Sequence, residues 1–473
     1  MAPGATLTPG GTHGSVELRD FSKSRSPSPY ARSHLTQSDL EDEDSEFEPA
    51  TSLRPLVREH EGAAGVRGWK RVLKGGLGNW LSGTWMGWQV LVSMLGFWVM
   101  GMAFGARLMD RFILWTGVYK FPYPVAVTFL HILITHVLLA GFCSLLRALA
   151  RPLTNLGLGG IVPPSFPASA GSSGLKGRSK APLIRWLRSG TGGIAGGGVL
   201  EFERKAVVQA LPLAVVYMAT RLLSNISFAY AVLPLYTLAR IAIIPLALIL
   251  TSTLGQTSHS ISTLSAALIS TLNLLLASII RGRVTWEPIV AGVFSSLFGA
   301  LYPILLQKTH RNLIALLVPT SNDQDDPFAS SDDNGKTPEA TTRAYFQTLH
   351  YTSLLSLFFL FPILLLSGEL PNMLHNCPFL DVPWFWFLMF CSSLFSLGLF
   401  LTTLLFVNMT SPLTMSFVGA PRSAFQLAVL VRRGLGVGNW VGVALCWVGN
   451  VWYFAIRRSE GREKGRRWLS GLE

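Results

Sequence analysis

The strongest constraint in this sequence is a series of ten apolar stretches, each about 20 residues long and nearly free of charge. A helix of that length rises about 30 Å, the thickness of a bilayer's hydrocarbon core. It also satisfies every backbone N–H and C=O without water, which lipid cannot supply. The stretches fall near 84–106, 123–146, 206–228, 232–254, 261–280, 287–307, 346–367, 383–407, 411–431 and 436–456. Two joints are very short, at Tyr230–Leu233 and Asn408–Ser411, and there Pro234 and Pro412 mark fresh helix starts. Composition agrees: of 473 residues only 14% are charged, and the mean hydropathy is +0.40. A soluble exterior calls for about 25% charge. The expected fold class is an all-α integral membrane protein of about ten transmembrane helices.

Polar segments frame this bundle. Residues 1–80 are rich in Ser, Pro, Gly and charge, with an acidic cluster at Ser38–Glu48, and read as a disordered cytosolic tail. The first 60 residues are polar, so the first apolar stretch is expected to serve as an uncleaved signal. Residues 81–457 form the ten-helix domain, interrupted by flexible loops at 147–205 and 308–345, and residues 458–473 form a basic cytosolic tail. Nine Lys/Arg in loop 147–205, four in 308–345 and six after Ile456 face seven on the other side: Arg107, Arg111, Lys120, Arg281, Arg283, Arg432 and Arg433. The excess predicts cytosolic termini and an even number of spans. Five spans end by about 280 and five begin from about 287, and the fourth of each five starts after a tight Pro-containing joint. That pattern fits two inverted five-helix repeats.

Net charge is +13, yet no run interleaves basic and aromatic residues as a nucleic-acid platform would, so nucleic acid is not an expected partner. Four cysteines contain no Cys-x-x-Cys pair, so neither a disulfide framework nor a zinc site is expected. His131 and His136 do not make a metal site, and no cofactor is expected. Gly-x-Ser-x-Gly, His-Glu-x-x-His and Walker-type motifs are absent from the sequence, and the chain does not read as an enzyme.

The informative residues are charges inside apolar spans, each costing at least about 2.5–3.5 kcal/mol at the bilayer centre. Arg240 and Arg422 lie well inside theirs, whereas Arg221 and Lys308 can snorkel to an interface. Between Arg204 and Asn322 the only carboxylate is Glu287, and between Asp381 and Glu460 there is none. Guanidiniums without carboxylates at mid-membrane point to an anionic small-molecule substrate, because the planar fork matches phosphate oxygens. Both occupy the fourth helix of their half, so pseudo-symmetry would bring them to one cavity. Asn225, Tyr230, Tyr236, Tyr302 and Tyr351 supply amide and aromatic groups nearby that could bond a sugar or stack on a base.

These residues resemble the nucleotide-sugar and triose-phosphate transporter family of the drug/metabolite transporter superfamily. The resemblance runs over roughly 85–456. Phe121-Pro-Tyr-Pro-Val with His131 resembles the opening of the family's second helix. Ser224-Asn-Ile-Ser-Phe-Ala-Tyr230 followed by Pro234-Leu-Tyr-Thr-Leu-Ala-Arg240 is similar to its third and fourth. Thr410-Ser-Pro-Leu-Thr414 with Gly419 and Arg422 is similar to the signature of GDP-fucose transporters, with Arg422 in place of a lysine. Ser367-Gly-Glu369 fits the end of the seventh helix. The resemblance implies a Golgi antiporter, with the endoplasmic reticulum as the other candidate membrane, that exchanges a nucleotide sugar, leaning to a GDP-sugar, for a nucleoside monophosphate by alternating access. By this analogy Arg240 and Arg422 hold the phosphates, and Thr414 and Gly419 join the site. A sugar-phosphate exchanger is the alternative, and a non-transporting scaffold or receptor a remote one. A homodimer is compatible with either.

Overall fold

The computed structural model describes residues 85–114, 121–156, 159–164, 193–195, 202–231, 233–255, 257–279, 286–317, 336–376, 378–431 and 436–470. All of these fall in one unit, Phe47–Glu473. The expected tail at 1–80 lies outside the described residues, as do most of loop 147–205 and the centre of loop 308–345. Among the described residues there are helices and no strand, and nine of the helices are long and apolar enough to cross a membrane. The chain is an all-α integral membrane protein.

The long helices among the described residues are α1 (Trp85–Leu114), α2 (Pro124–Ala148), α3 (Arg204–Tyr230), α4 (Leu233–Leu254), α5 (Ile261–Ser278), α6 (Trp286–Leu317), α7 (Lys336–Leu366), α8 (Pro383–Met409), α9 (Pro412–Leu430) and α10 (Val437–Ser470). Each of the ten expected spans is a helix, and α9 is the one too polar to count among the nine. Proline opens α2, α8 and α9, where its missing N–H would be unpaired in any case. Ser411 caps α9, its hydroxyl accepting from the Thr414 N–H at 3.2 Å, and Ser260 caps α5 in the same way. Gly368, at φ 67°, ends α7 in the left-handed conformation that glycine adopts without strain.

Several ends differ from the sequence expectation. The first span was expected to stop at 106 but runs to Leu114, and α6 and α7 extend into the expected 308–345 loop as far as Leu317 and back to Lys336. Helix α10 runs on to Ser470 through the expected basic tail. In each case helix forms through the polar residues that flank an apolar stretch. Hydropathy locates the part of a helix in lipid, not its ends in headgroups and water.

Helix pairings repeat when each number is advanced by five. Helix α3 packs on α6 and its image α8 packs on α1; α3 packs on α7 and α8 on α2; α2–α7, α4–α9 and α5–α10 are self-paired. With five spans per copy the second copy necessarily runs through the membrane in the opposite sense. Close approach is set by small residues. A Cβ at Gly442 of α10 would lie 2.6 Å from the Ala277 backbone N and 2.9 Å from the Asn273 carbonyl on α5. Asn439 donates to the Ala277 and Ile279 carbonyls at 3.0 and 2.9 Å, closing the end of α5.

Helix α4 is two pieces, Leu233–Ala239 and Ile243–Leu254, joined by a turn at 240–242. Pro245 explains the break: it cannot donate to the Ile241 carbonyl, and its ring crowds that oxygen. The joint instead bonds three residues back, from Arg240 N to Thr237 O and from Ile241 N to Leu238 O, both at 3.2 Å. Arg240 therefore sits in the break.

Candidate substrate site: a cationic cavity between the halves

Helices α1, α3 and α4 and their counterparts α6, α8 and α9 line a cavity of about 140 Å³, and a smaller one of about 30 Å³ adjoins it. Arg107, Arg240 and Arg422 border both, and Arg221 borders the larger. The partners of Arg107, Arg221 and Arg240 are uncharged for the most part. Arg240 donates to Tyr236 Oη and, at 3.1 Å, to Ser224 Oγ, and lies over the Tyr236 ring at 5.4 Å. Ser224 Oγ and Tyr236 Oη are 2.9 Å apart. Arg221 lies over Tyr217 at 5.4 Å. The Nε atoms of Arg240 and Arg422 are buried without a hydrogen-bond partner. Among the described residues the one acid paired with this group is Asp110, whose Oδ2 accepts from Arg107 at 3.3 Å. Ser392 donates to its Oδ1 at 2.8 Å, and His131 Nε2 is 3.7 Å from the same oxygen.

The nine residues named from the sequence for this site divide. Arg240, Arg422, Tyr236, Tyr302 and Gly419 line the cavities. Asn225 stands behind the wall, where its Oδ1 accepts from Arg107 at 3.1 Å and its Nδ2 donates to Thr128 at 2.9 Å. Thr414 sits between Ser411 and Tyr453 Oη, at 2.8 and 3.0 Å, and links α9 to α10. Tyr230 is 56% exposed at the end of α3, away from the cavity. Tyr351 is fully buried elsewhere, accepting from the Glu203 N–H at 3.0 Å.

Two contributors escaped the sequence reading. Hydropathy places Arg107 among the loop charges, yet it lies inside α1 and donates to Ser224 at 2.7 Å. Its spacing with Asp110, one helical turn, is the signal that could have extended that helix. Arg221 lies where its position in the sequence permits snorkelling, yet it faces the cavity. Arg111 also leaves the loop count: it donates to the Leu430 carbonyl at 2.8 Å and caps the end of α9. No group of His, Cys, Asp and Glu among the described residues could hold a metal ion.

The fold and site therefore define a helical membrane protein with a buried, strongly cationic cavity between two pseudo-equivalent halves. The chain is 25% identical over 256 residues to GDP-fucose transporter 1 of Dictyostelium discoideum, a match spanning 54% of this chain and 62% of that relative's length. No protein-family model matches the sequence. A solved crystal structure overlays on 78% of this chain and 98% of its own at a TM-score of 0.42 and 11% identity, too distant to bear on function.

Proposed function

We propose that this chain is a nucleotide-sugar antiporter that exchanges a nucleotide sugar for a nucleoside monophosphate across the Golgi membrane by alternating access. The observation that carries the reading is the excess of guanidinium over carboxylate in a cavity at the heart of a membrane protein: four arginines against Asp110. In a low-dielectric setting that excess calls for a multiply charged anion, and phosphate oxygens fit the arginine fork. The likeness to a GDP-fucose transporter supports a GDP-sugar as the substrate. In this reading Arg240 and Arg422 clamp the phosphates from opposite halves, and movement of the halves about that clamp exposes it to each side in turn. Both termini face the cytosol.

Full-length protein in liposomes preloaded with GMP tests this against a panel of labelled nucleotide sugars. Uptake driven by internal GMP is expected, and Arg240→Ala or Arg422→Ala should each weaken it by about 10- to 100-fold, the worth of one charge-assisted hydrogen bond. Full exchange by either variant would end the clamp idea. Uptake driven by internal phosphate instead of GMP would favour a sugar-phosphate exchanger, which shares the need for cationic side chains.

A further inference from the structure

The two ends of the cavity differ in chemistry. At the larger end stand Tyr217, Tyr302 and Phe400, with the Tyr217 ring centroid 5.5 Å from Tyr302 and 5.2 Å from Phe400. A flat, electron-rich base packs well against such rings. At the smaller end are Tyr236, Thr237, Ser416, Ser423 and Gln426. The arginines that border both ends lie between.

Most hydroxyls at the smaller end are already committed to their own helices. Thr237 donates to the Leu233 carbonyl at 2.9 Å, Ser423 to Gly419 at 3.0 Å and Ser416 to Pro412 at 3.4 Å. Tyr236 is engaged with Ser224 and Arg240. Gln426 is different. It is only 4% exposed, and its Nε2 has no hydrogen-bond partner. It lies four residues after Arg422, so the two share one face of α9. A buried amide without a partner is a standing cost to the fold unless something else arrives to satisfy it.

A nucleotide sugar presents its parts in fixed order: base, ribose, phosphates, glycosyl group. With the phosphates on the shared arginines and the base among the rings, the part that lies beyond the phosphates is the glycosyl group. We propose that Gln426 hydrogen-bonds a hydroxyl of the glycosyl group and so selects among nucleotide sugars. The 30 Å³ of free space holds about two waters, which suits the hydroxylated edge of a sugar rather than a whole ring. The inference rests on the reading of this protein as a nucleotide-sugar exchanger.

The test compares two exchanges in the same GMP-loaded liposomes: entry of labelled GDP-fucose and entry of labelled GMP. Gln426→Leu is expected to raise KM for GDP-fucose about tenfold, the effect of one lost hydrogen bond to a buried polar group, and to move KM for GMP much less. Gln426→Asn, which keeps the amide on a shorter stem, should fall between wild type and Leu. If both KM values rise in parallel in both variants, Gln426 meets the nucleotide or merely supports the fold, and the proposal fails. It fails equally if neither KM moves. Absence of entry by any labelled nucleotide sugar in the wild type would instead overturn the exchanger reading itself, a result visible before any variant is made.

Discussion

Arg422 lies ten residues into α9 and Arg240 in the break of α4, and neither has a carboxylate partner among the described residues, whereas Arg107 has Asp110. This difference separates two roles. Arg107, bonded to Asp110, Ser224 and Asn225, is a fixed part of the wall, while the Nε atoms of Arg240 and Arg422 are left unpaired. Asp110 in turn ties α1 to α8 through Ser392. Replacing it by Asn keeps the shape and removes the charge, so Asp110→Asn should destabilise the protein by about 1–3 kcal/mol. A thermal-unfolding series in detergent reads this directly. Added GMP should raise the midpoint more in Asp110→Asn than in wild type, since an anion then neutralises the surplus guanidinium. An unchanged midpoint without GMP would show that the pair does not hold α1 to α8.

At the scale of elements, contact depends on where backbones meet. Helices in lipid gain little from burying apolar surface, so close packing of small residues carries the association. Gly442 is such a point, because the atoms its Cβ would strike belong to the backbone of α5 and cannot rotate away. Gly442→Ala is expected to push α5 and α10 apart and cost about 1–3 kcal/mol. The variant's unfolding midpoint against wild type measures it, and Gly438→Ala, with open space around its Cβ, is the control. The break in α4 belongs to the same scale. Pro245 is visible in the sequence, but proline inside a helix does not always part it: α3, α6, α7 and α9 contain Pro212, Pro303, Pro362 and Pro421 without a gap. In α4 the turn is also covered by Gly292, whose missing side chain lets α6 sit against Ala239.

Over the whole molecule, the pairing of helices repeats under an advance of five, and the cavity is lined by three helices of one half and their three counterparts. Ten crossings by the described helices put both ends of the bundle on one side of the membrane, which is the cytosolic side in the function proposed above. In sealed microsomes with the cytosolic face outward, protease should therefore remove epitope tags from both termini. Protection of either tag would contradict the ten-span topology with cytosolic ends. The symmetry is approximate in detail: Arg240 follows the opening Pro234 by six residues, while Arg422 follows Pro412 by ten. The offset of four is about one helical turn, so both still project from equivalent faces.

The sequence by itself determined the membrane class, the ten helices, their division into two fives and two of the cavity arginines. Those follow from transfer free energies, which depend on local composition alone: lipid rewards long apolar runs and penalises a charge within them. The tertiary structure decided which polar residues share a space. Hydropathy ended α1 before Arg107 and so assigned a wall residue to a loop. Residue type and a shared motif grouped Thr414 and Tyr230 with the site, although one joins two helices and the other lies exposed. Gln426 carried no signal at all, because a glutamine is informative only once its surroundings leave it unpaired. Charge in an apolar run can be read along the chain, but the partner that answers it comes from a helix far away in sequence.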